Sequence, residues 1–235
     1  DILNTKYNIL DLKGITSFLK DVPILIPGYS NFENINSKMI SLPNPLVSQF
    51  ILSLYSQCNL QNLKSIQLVN LIPTIYSSDE APKKLIEQTV KKLNGEALED
   101  DEESIAFNIR PISDISKHNS IFLDQIEKIG VLPNIEINIQ SINCPTTYHL
   151  SQQISLEYFE EPLENSKQNS TSYTEIYPTY KELAENALGY DSAKLSLSLL
   201  EDNDLTKIYW STADIQRFNI AYLGVWLLNI LDNFR

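Results

Sequence analysis

Asn44-Pro45-Leu46-Val47-Ser48-Gln49-Phe50-Ile51-Leu52-Ser53-Leu54-Tyr55-Ser56-Gln57-Cys58 is the stretch on which the reading of this chain turns. Asn44 suits a helix N-cap, because its side-chain oxygen accepts from a first-turn amide. Pro45 suits the first helical position, where the missing N–H has no helical partner anyway. Leu46, Val47, Phe50, Ile51, Leu54, Tyr55 and Cys58 recur at three- and four-residue spacing, which predicts an amphipathic helix with Ser48, Gln49, Ser56 and Gln57 facing away.

Working outward, Val22 to Ile26 reads as a strand closed by the Pro27-Gly28 turn, and Ser65 to Ile72 as a strand ending before Pro73. Residues 31 to 42 between them read as a loop or short irregular helix. A second helix is expected from Pro82 to Asn94, burying Leu85, Ile86, Thr89, Val90 and Leu93 and stopping at Gly95. Strand, helix, strand, helix is the order expected where helices cover a partly parallel sheet. Downstream, Ala106 to Arg110 reads as a strand and Ser120 to Ile129 as a helix closed by Gly130. Ile135, Ile137 and Ile139 alternate with Glu136, Asn138 and Gln140, and residues 153 to 159 continue in that style. Such half-exposed strands suit antiparallel pairing.

After the polar stretch from Glu160 to Pro178 the chain reads as mainly helical. Thr179 is expected to cap a helix to Leu188, Asp191 one from Ser192 to Leu200, and Thr212 a last one. Its apolar stripe is Ile215, Phe218, Tyr222, Val225, Trp226 and Ile230, and a short strand, Leu205 to Trp210, precedes it. The expected fold class is therefore α/β: a mixed, partly parallel sheet flanked by helices, with a more helical C-terminal portion. Residues 1–159 form the core, 160–178 a polar acidic loop or boundary, and 179–235 a helical portion packed on the same body.

The 235 residues carry 30 acidic and 18 basic side chains, a net charge of −12. A field of that sign repels phosphate backbones, so direct nucleic-acid contact is not expected. Lys83, Lys84, Lys91 and Lys92 read as the solvated side of the second helix, and the run Glu99 to Glu103 as a solvated loop. No stretch has the length of a membrane span. Two cysteines make no disulfide framework, which points to a reducing compartment, cytoplasmic or nuclear. A start at Asp1 rather than Met is expected of a processed or trimmed product, and Asn169-Ser170-Thr171 matches the glycosylation acceptor pattern only as chance triplets do.

Gly28 and Ser30 follow the first strand, where α/β proteins often place a phosphate or an oxyanion. No G-x-G-x-x-G, phosphate-loop or G-x-S-x-G pattern accompanies them, and the chain has only six glycines. His118 and His149 are the only imidazoles, and Cys144 is near His149 in sequence alone. Zinc has no ligand set at workable spacing and the acidic run is no calcium loop, so neither cofactor nor metal is expected, with carboxylate-held magnesium left open. Tyr158, Phe159, Tyr173, Tyr177 and Tyr180 gather around the polar stretch, and tyrosine suits an interface because it buries a ring and keeps a polar tip. These features favour a noncatalytic protein-binding subunit, adaptor or assembly factor in a hetero-oligomer, whose partner offers a basic or apolar surface. The alternatives are a hydrolase or transferase with an atypical site at Gly28 and Ser30, served by His118 or His149, and a small-ligand-binding module.

Overall fold

The structure, a computed structural model, describes residues 9–32, 35, 37–58, 60–98, 103–112, 114–132, 134–162, 172–186 and 193–233. Most of the acidic run, the Asn169 triplet and the Asp191 cap lie outside the described residues. A small parallel pair, β1 (Ile9–Asp11) and β2 (Met39–Ser41), precedes α1 (Pro45–Gln57). The main sheet contains β3 (Leu63–Ile72), β4 (Arg110–Pro111), β5 (Glu136–Asn143), β6 (His149–Tyr158), β7 (Thr174–Tyr177), β8 (Leu195–Asp202) and β9 (Thr206–Asp214). Their order is β4-β5-β3-β6-β9-β8-β7. The helices are α2 (Ala81–Leu93), α3 (Ile115–Ile129), α4 (Tyr180–Asn186) and α5 (Leu223–Asn233), with a 3₁₀ turn at Thr74–Tyr76 and a π-helix at Ile215–Tyr222. This is a mixed parallel and antiparallel sheet flanked by helices, with a helical region at the C-terminus.

β3 lies at the heart of the sheet, parallel to β5 and antiparallel to β6, so β5 and β6 are not the hairpin partners that their alternation invites. α1 begins where its cap predicts: Asn44 Oδ1 accepts from Leu46 N at 2.9 Å. It has no wet side, however. Ser48, Gln49 and Ser56, expected outside, are as buried as Leu46, Phe50 and Ile51, while Tyr55 is exposed. Ser48 and Ser56 donate to the Pro45 and Leu52 carbonyls of the helix itself, and for Gln49 the reason is a polar row on the sheet. Ser141, Asn70, Gln152 and Ser211 stand at one register level on β5, β3, β6 and β9. Asn70 Nδ2 donates to Ser141 Oγ at 3.0 Å, and Gln152 Nε2 donates to Asn70 Oδ1 and to the Leu46 carbonyl, both at 2.9 Å. Gln49 Nε2 donates to Ser211 Oγ at 3.1 Å, and Ser53 Oγ meets the same hydroxyl at 2.8 Å. Gln49 and Ser53 of α1 are buried because the sheet supplies partners, which removes the desolvation cost of leaving them unpaired.

On the same side Phe50 packs against Phe122 of α3, ring centroids 5.6 Å apart. Trp210, next in sequence to Ser211, projects from the opposite face, where Tyr180 of α4 meets it edge-on.

Several sequence expectations change. Val22 and Ile26 are fully buried, but the segment makes only an isolated bridge, Ile24 to Ser41, because the chain turns at Pro27-Gly28 before a ladder can form. Within 106 to 110 only Arg110 joins a strand. α3 starts at Asp114, whose carboxylate accepts from Lys117 N. α2 turns Ile86, Val90 and Leu93 to solvent and buries Pro82, Leu85 and Gln88, since it packs on a small satellite cluster of Leu85, Ile105 and Ala106. Lys92 is no solvated charge there: its ammonium donates to Ser104 Oγ and the Ala106 carbonyl. The helix expected over 192 to 200 is β8; Leu195-Ser196-Leu197-Ser198 has period two, and both faces are buried there. The terminal helix is capped by Asp214 rather than Thr212, which belongs to β9, and its first two turns are π-helical. The wider turn shifts the apolar phase, so Leu223 and Leu227 enter the core and Val225 faces water.

Candidate functional site

β6 is antiparallel to both β3 and β9, and β5 is parallel to β3, so the C-terminal ends of β3, β5 and β9 lie along one edge. Ligands of open α/β sheets gather at such edges. Here Pro73 stops β3, and the following 3₁₀ turn is hung on the 146–147 loop by Thr74 N and Ile75 N, which donate to the carbonyls of Thr146 and Thr147. β9 ends at Asp214, where the π-helix begins, and Ile215 N donates to the Tyr148 carbonyl. α1 points its N-terminus at the same place. The result is a cavity of about 470 Å³ lined by Lys13, Asn44, Pro45, Ile75, Tyr76, Asp79, Ile215, Gln216 and Ile220.

The N-terminus of α1 is fixed from three directions. Asn44 N donates to Gln125 Oε1 of α3 at 2.8 Å, and Asn44 Nδ2 donates to the Tyr76 hydroxyl at 2.7 Å. Gly14 packs against the cap from below with φ +72°; a Cβ there would lie 2.7 Å from Asn44 N. The first-turn amides are already used. Leu46 N is taken by the Asn44 side chain, Val47 N and Ser48 N by the Asn44 carbonyl, and Pro45 has none. A ligand in the cavity therefore meets side-chain donors and the helix dipole rather than open backbone N–H groups. Lys13 and Asp79 bring opposite charges to the lining, and neither joins an ion pair among the described residues.

Asp11 places Lys13. Burial pushes its carboxyl up, but hydrogen bonds from Thr16, Lys13 N and Ser41 outweigh that and hold it below its ordinary value of 3.8. A depressed carboxylate stabilises the fold above its unfolded pKa and loses that contribution as pH falls through the folded one. Melting temperature is thus expected to fall as the pH is taken below the ordinary carboxylate value of 3.8 in the wild type, and to fall less steeply in Asp11→Asn. Thermal melts followed by circular dichroism across that range check it.

The residues singled out by sequence do not form a second site. Ser30 Oγ accepts from Ile26 N at 2.9 Å and closes its own turn, and no hydrogen bond joins it to either histidine among the described residues. Gly28, at φ +85°, faces Trp226 and Tyr173, whose rings would lie 2.8 and 3.0 Å from an added Cβ, so the turn is packed with aromatic carbon. His118 lies on α3 edge-on to Tyr76, with burial holding its imidazole below the ordinary value, and His149 opens β6 opposite Asp214. Tyr158 and Tyr173 are core residues, Tyr177 donates to Glu175, Tyr180 covers Trp210, and Phe159 is exposed; the five share no single surface. Cys58 closes the far end of α1, where burial pushes its thiol well up, and Cys144 follows β5 with its thiol also raised by burial. Neither thiol lines the cavity. No group of three or more histidine, cysteine or carboxylate side chains is placed to hold a metal among the described residues.

No family model matches the chain. A USG-1 protein homolog of Haemophilus influenzae is 32% identical over 227 residues, 94% of this chain and 69% of that protein. The chain belongs to the USG-1 protein family. Among solved structures, aspartate semialdehyde dehydrogenase II from Vibrio cholerae matches with a TM-score of 0.78 at 19% identity, over 96% of this chain and 72% of that one. A second structure of that enzyme, complexed with ASA, gives 0.75 at 20% identity, over 94% and 72%. Aspartate semialdehyde dehydrogenase from Francisella tularensis gives 0.75 at 13% identity, over 95% and 74%. This member of the USG-1 family thus has the fold of those dehydrogenases.

These relationships overturn the expectation of a noncatalytic adaptor or assembly factor. The fold is one that oxidoreductases use, with a cavity at the strand ends rather than a display of tyrosines. The expectation rested on missing motifs. In this fold the cavity is assembled from residues 13, 44–45, 75–79 and 215–220, too far apart in sequence to make a local pattern. The one legible signal was Asn44-Pro45, read as a cap but not as a cavity wall.

Proposed function

We propose that the chain is an oxidoreductase acting on a small amino-acid carbonyl compound, held in the cavity at the N-terminus of α1. The observation that carries this is the composition of the cavity. Lys13 suits a carboxylate, Asp79 an ammonium group, and Ile75, Ile215 and Ile220 a short carbon chain between them. Aspartate semialdehyde, the compound for which the dehydrogenases of this fold are named, has all three parts. The positive end of α1 adds to the attraction for the carboxylate.

The residues of this chain bind and orient the substrate. Neither cysteine lines the cavity, so no thiol adduct forms part of this reading. A nicotinamide nucleotide exchanges hydride in such reactions, and a dehydrogenase of this fold from Candida albicans was solved with NADP. Among the described residues the Gly28 turn does not fit a dinucleotide phosphate, because Trp226 and Tyr173 fill the space beside it.

Calorimetric titration of the protein with aspartate semialdehyde tests the reading, followed by NADP-linked oxidation measured as absorbance of the reduced nucleotide. Saturable binding is expected, weakened about tenfold by Lys13→Ala and by Asp79→Ala, a loss of about 1.4 kcal/mol each. Absence of both binding and turnover would reject it.

A further inference from the structure

We infer that the Tyr76 hydroxyl is the hydrogen-bond donor that selects a carbonyl oxygen in the cavity, a role that rests on the substrate reading above. Asn44 Oδ1 faces Leu46 N, which is a donor, so the orientation of the amide is fixed. Nδ2 then faces Tyr76 and donates to it at 2.7 Å, which makes the phenol oxygen the acceptor of that bond. The phenol keeps its own hydrogen. Among the described residues nothing accepts it, although Tyr76 lines the cavity, with its hydroxyl bonded by Asn44 and its ring edge-on to His118.

A phenol whose acceptor capacity is used and whose donor is free discriminates by chemistry. It favours an oxygen acceptor and gives nothing to an ammonium group or a methyl. Because the first-turn amides of α1 are already bonded, backbone N–H groups do not duplicate this role. Burial raises the Tyr76 pKa, so the donor persists through neutral and moderately alkaline pH. With Lys13 placed for the carboxylate and Asp79 for the ammonium group, the carbonyl oxygen is the substrate atom left for Tyr76.

The test compares two ligands on two proteins. Aspartate semialdehyde carries the carbonyl oxygen, and L-2-aminobutyrate has the same carbon chain without it. The wild type is expected to bind the semialdehyde about tenfold more tightly, and Tyr76→Phe to lose about that factor for the semialdehyde while binding L-2-aminobutyrate within about twofold of the wild type. In fluorotyrosine-labelled wild type, one ¹⁹F resonance is expected to move with the semialdehyde and stay in place with L-2-aminobutyrate. If Tyr76→Phe weakens both ligands equally, or no resonance distinguishes them, the inference falls and the cavity reading stands. If the wild type binds neither ligand, both fall.

Discussion

Replacing Gly14 by Ala is expected to destabilise the protein by about 3 kcal/mol and to abolish ligand binding in the cavity. Two costs combine. At φ +72° a side chain meets the left-handed penalty, about 1 kcal/mol or more for any residue with a Cβ. The larger cost is steric, because the new Cβ would lie 2.7 Å from Asn44 N and 2.9 Å from the Pro43 carbonyl carbon. Those are backbone atoms at the start of α1. Gln125 and Tyr76 hold the same cap from other sides, so relief requires breaking one of those bonds or moving the helix. Two other glycines separate the terms. Gly95 has φ +73° with nothing near a Cβ, so Gly95→Ala is expected to cost only the conformational part, about 1 kcal/mol. Gly224 meets the Leu12 side chain, which can rotate, and a helical Ala recovers about 1 kcal/mol. Urea denaturation of the three variants checks the order. Equal losses at Gly14 and Gly95 would show that the contact with α1 contributes nothing.

The same contact explains what sequence reading reaches and where it stops. Local rules were sufficient for Asn44-Pro45, the strand before Pro73, the alternation of β5 and the Gly130 stop, since each is set by residues a few positions apart. They fail where a tertiary neighbour decides. Gln49 reads as solvent-facing, and only the row Ser141, Asn70, Gln152 and Ser211, from four strands, makes its burial the stable choice. β8 fails for another reason. Leu195-Ser196-Leu197-Ser198 alternates as a strand should, but the leucines invite a helix reading when caps are sought first. At the site, Lys13, Tyr76 and Gln216 carry no local signature; Tyr76 and Gln216 meet because β3 and β9 end on one edge of the sheet, and Lys13 reaches them from the end of β1 in the small parallel pair.

That polar row supplies the second large effect. Gln152→Met keeps the volume of the side chain and removes its two donated bonds, and is expected to cost about 3 kcal/mol. The Leu46 carbonyl retains its place in the helix, so its loss is an ordinary hydrogen bond, about 1 kcal/mol. Asn70 fares worse: among the described residues its Oδ1 accepts from Gln152 alone, it is fully buried, and an orphaned acceptor there costs about 1 to 3 kcal/mol. Gln152 Oε1 has no partner among the described residues, so its removal returns part of that. If the penalty arises from Asn70, then adding Asn70→Leu removes the orphaned acceptor at the cost of one ordinary hydrogen bond to the Ser141 hydroxyl, about 1 kcal/mol, and the double variant is expected to be more stable than Gln152→Met alone. Additive losses in the double-mutant cycle would instead assign the effect to packing. The cycle also bears on the cavity. Gln152 holds α1 to the sheet at Leu46, next to Pro45 in the cavity wall, so Gln152→Met is expected to weaken binding of aspartate semialdehyde as well. The double variant regains stability without regaining that tether, and its affinity is expected to stay at the level of Gln152→Met.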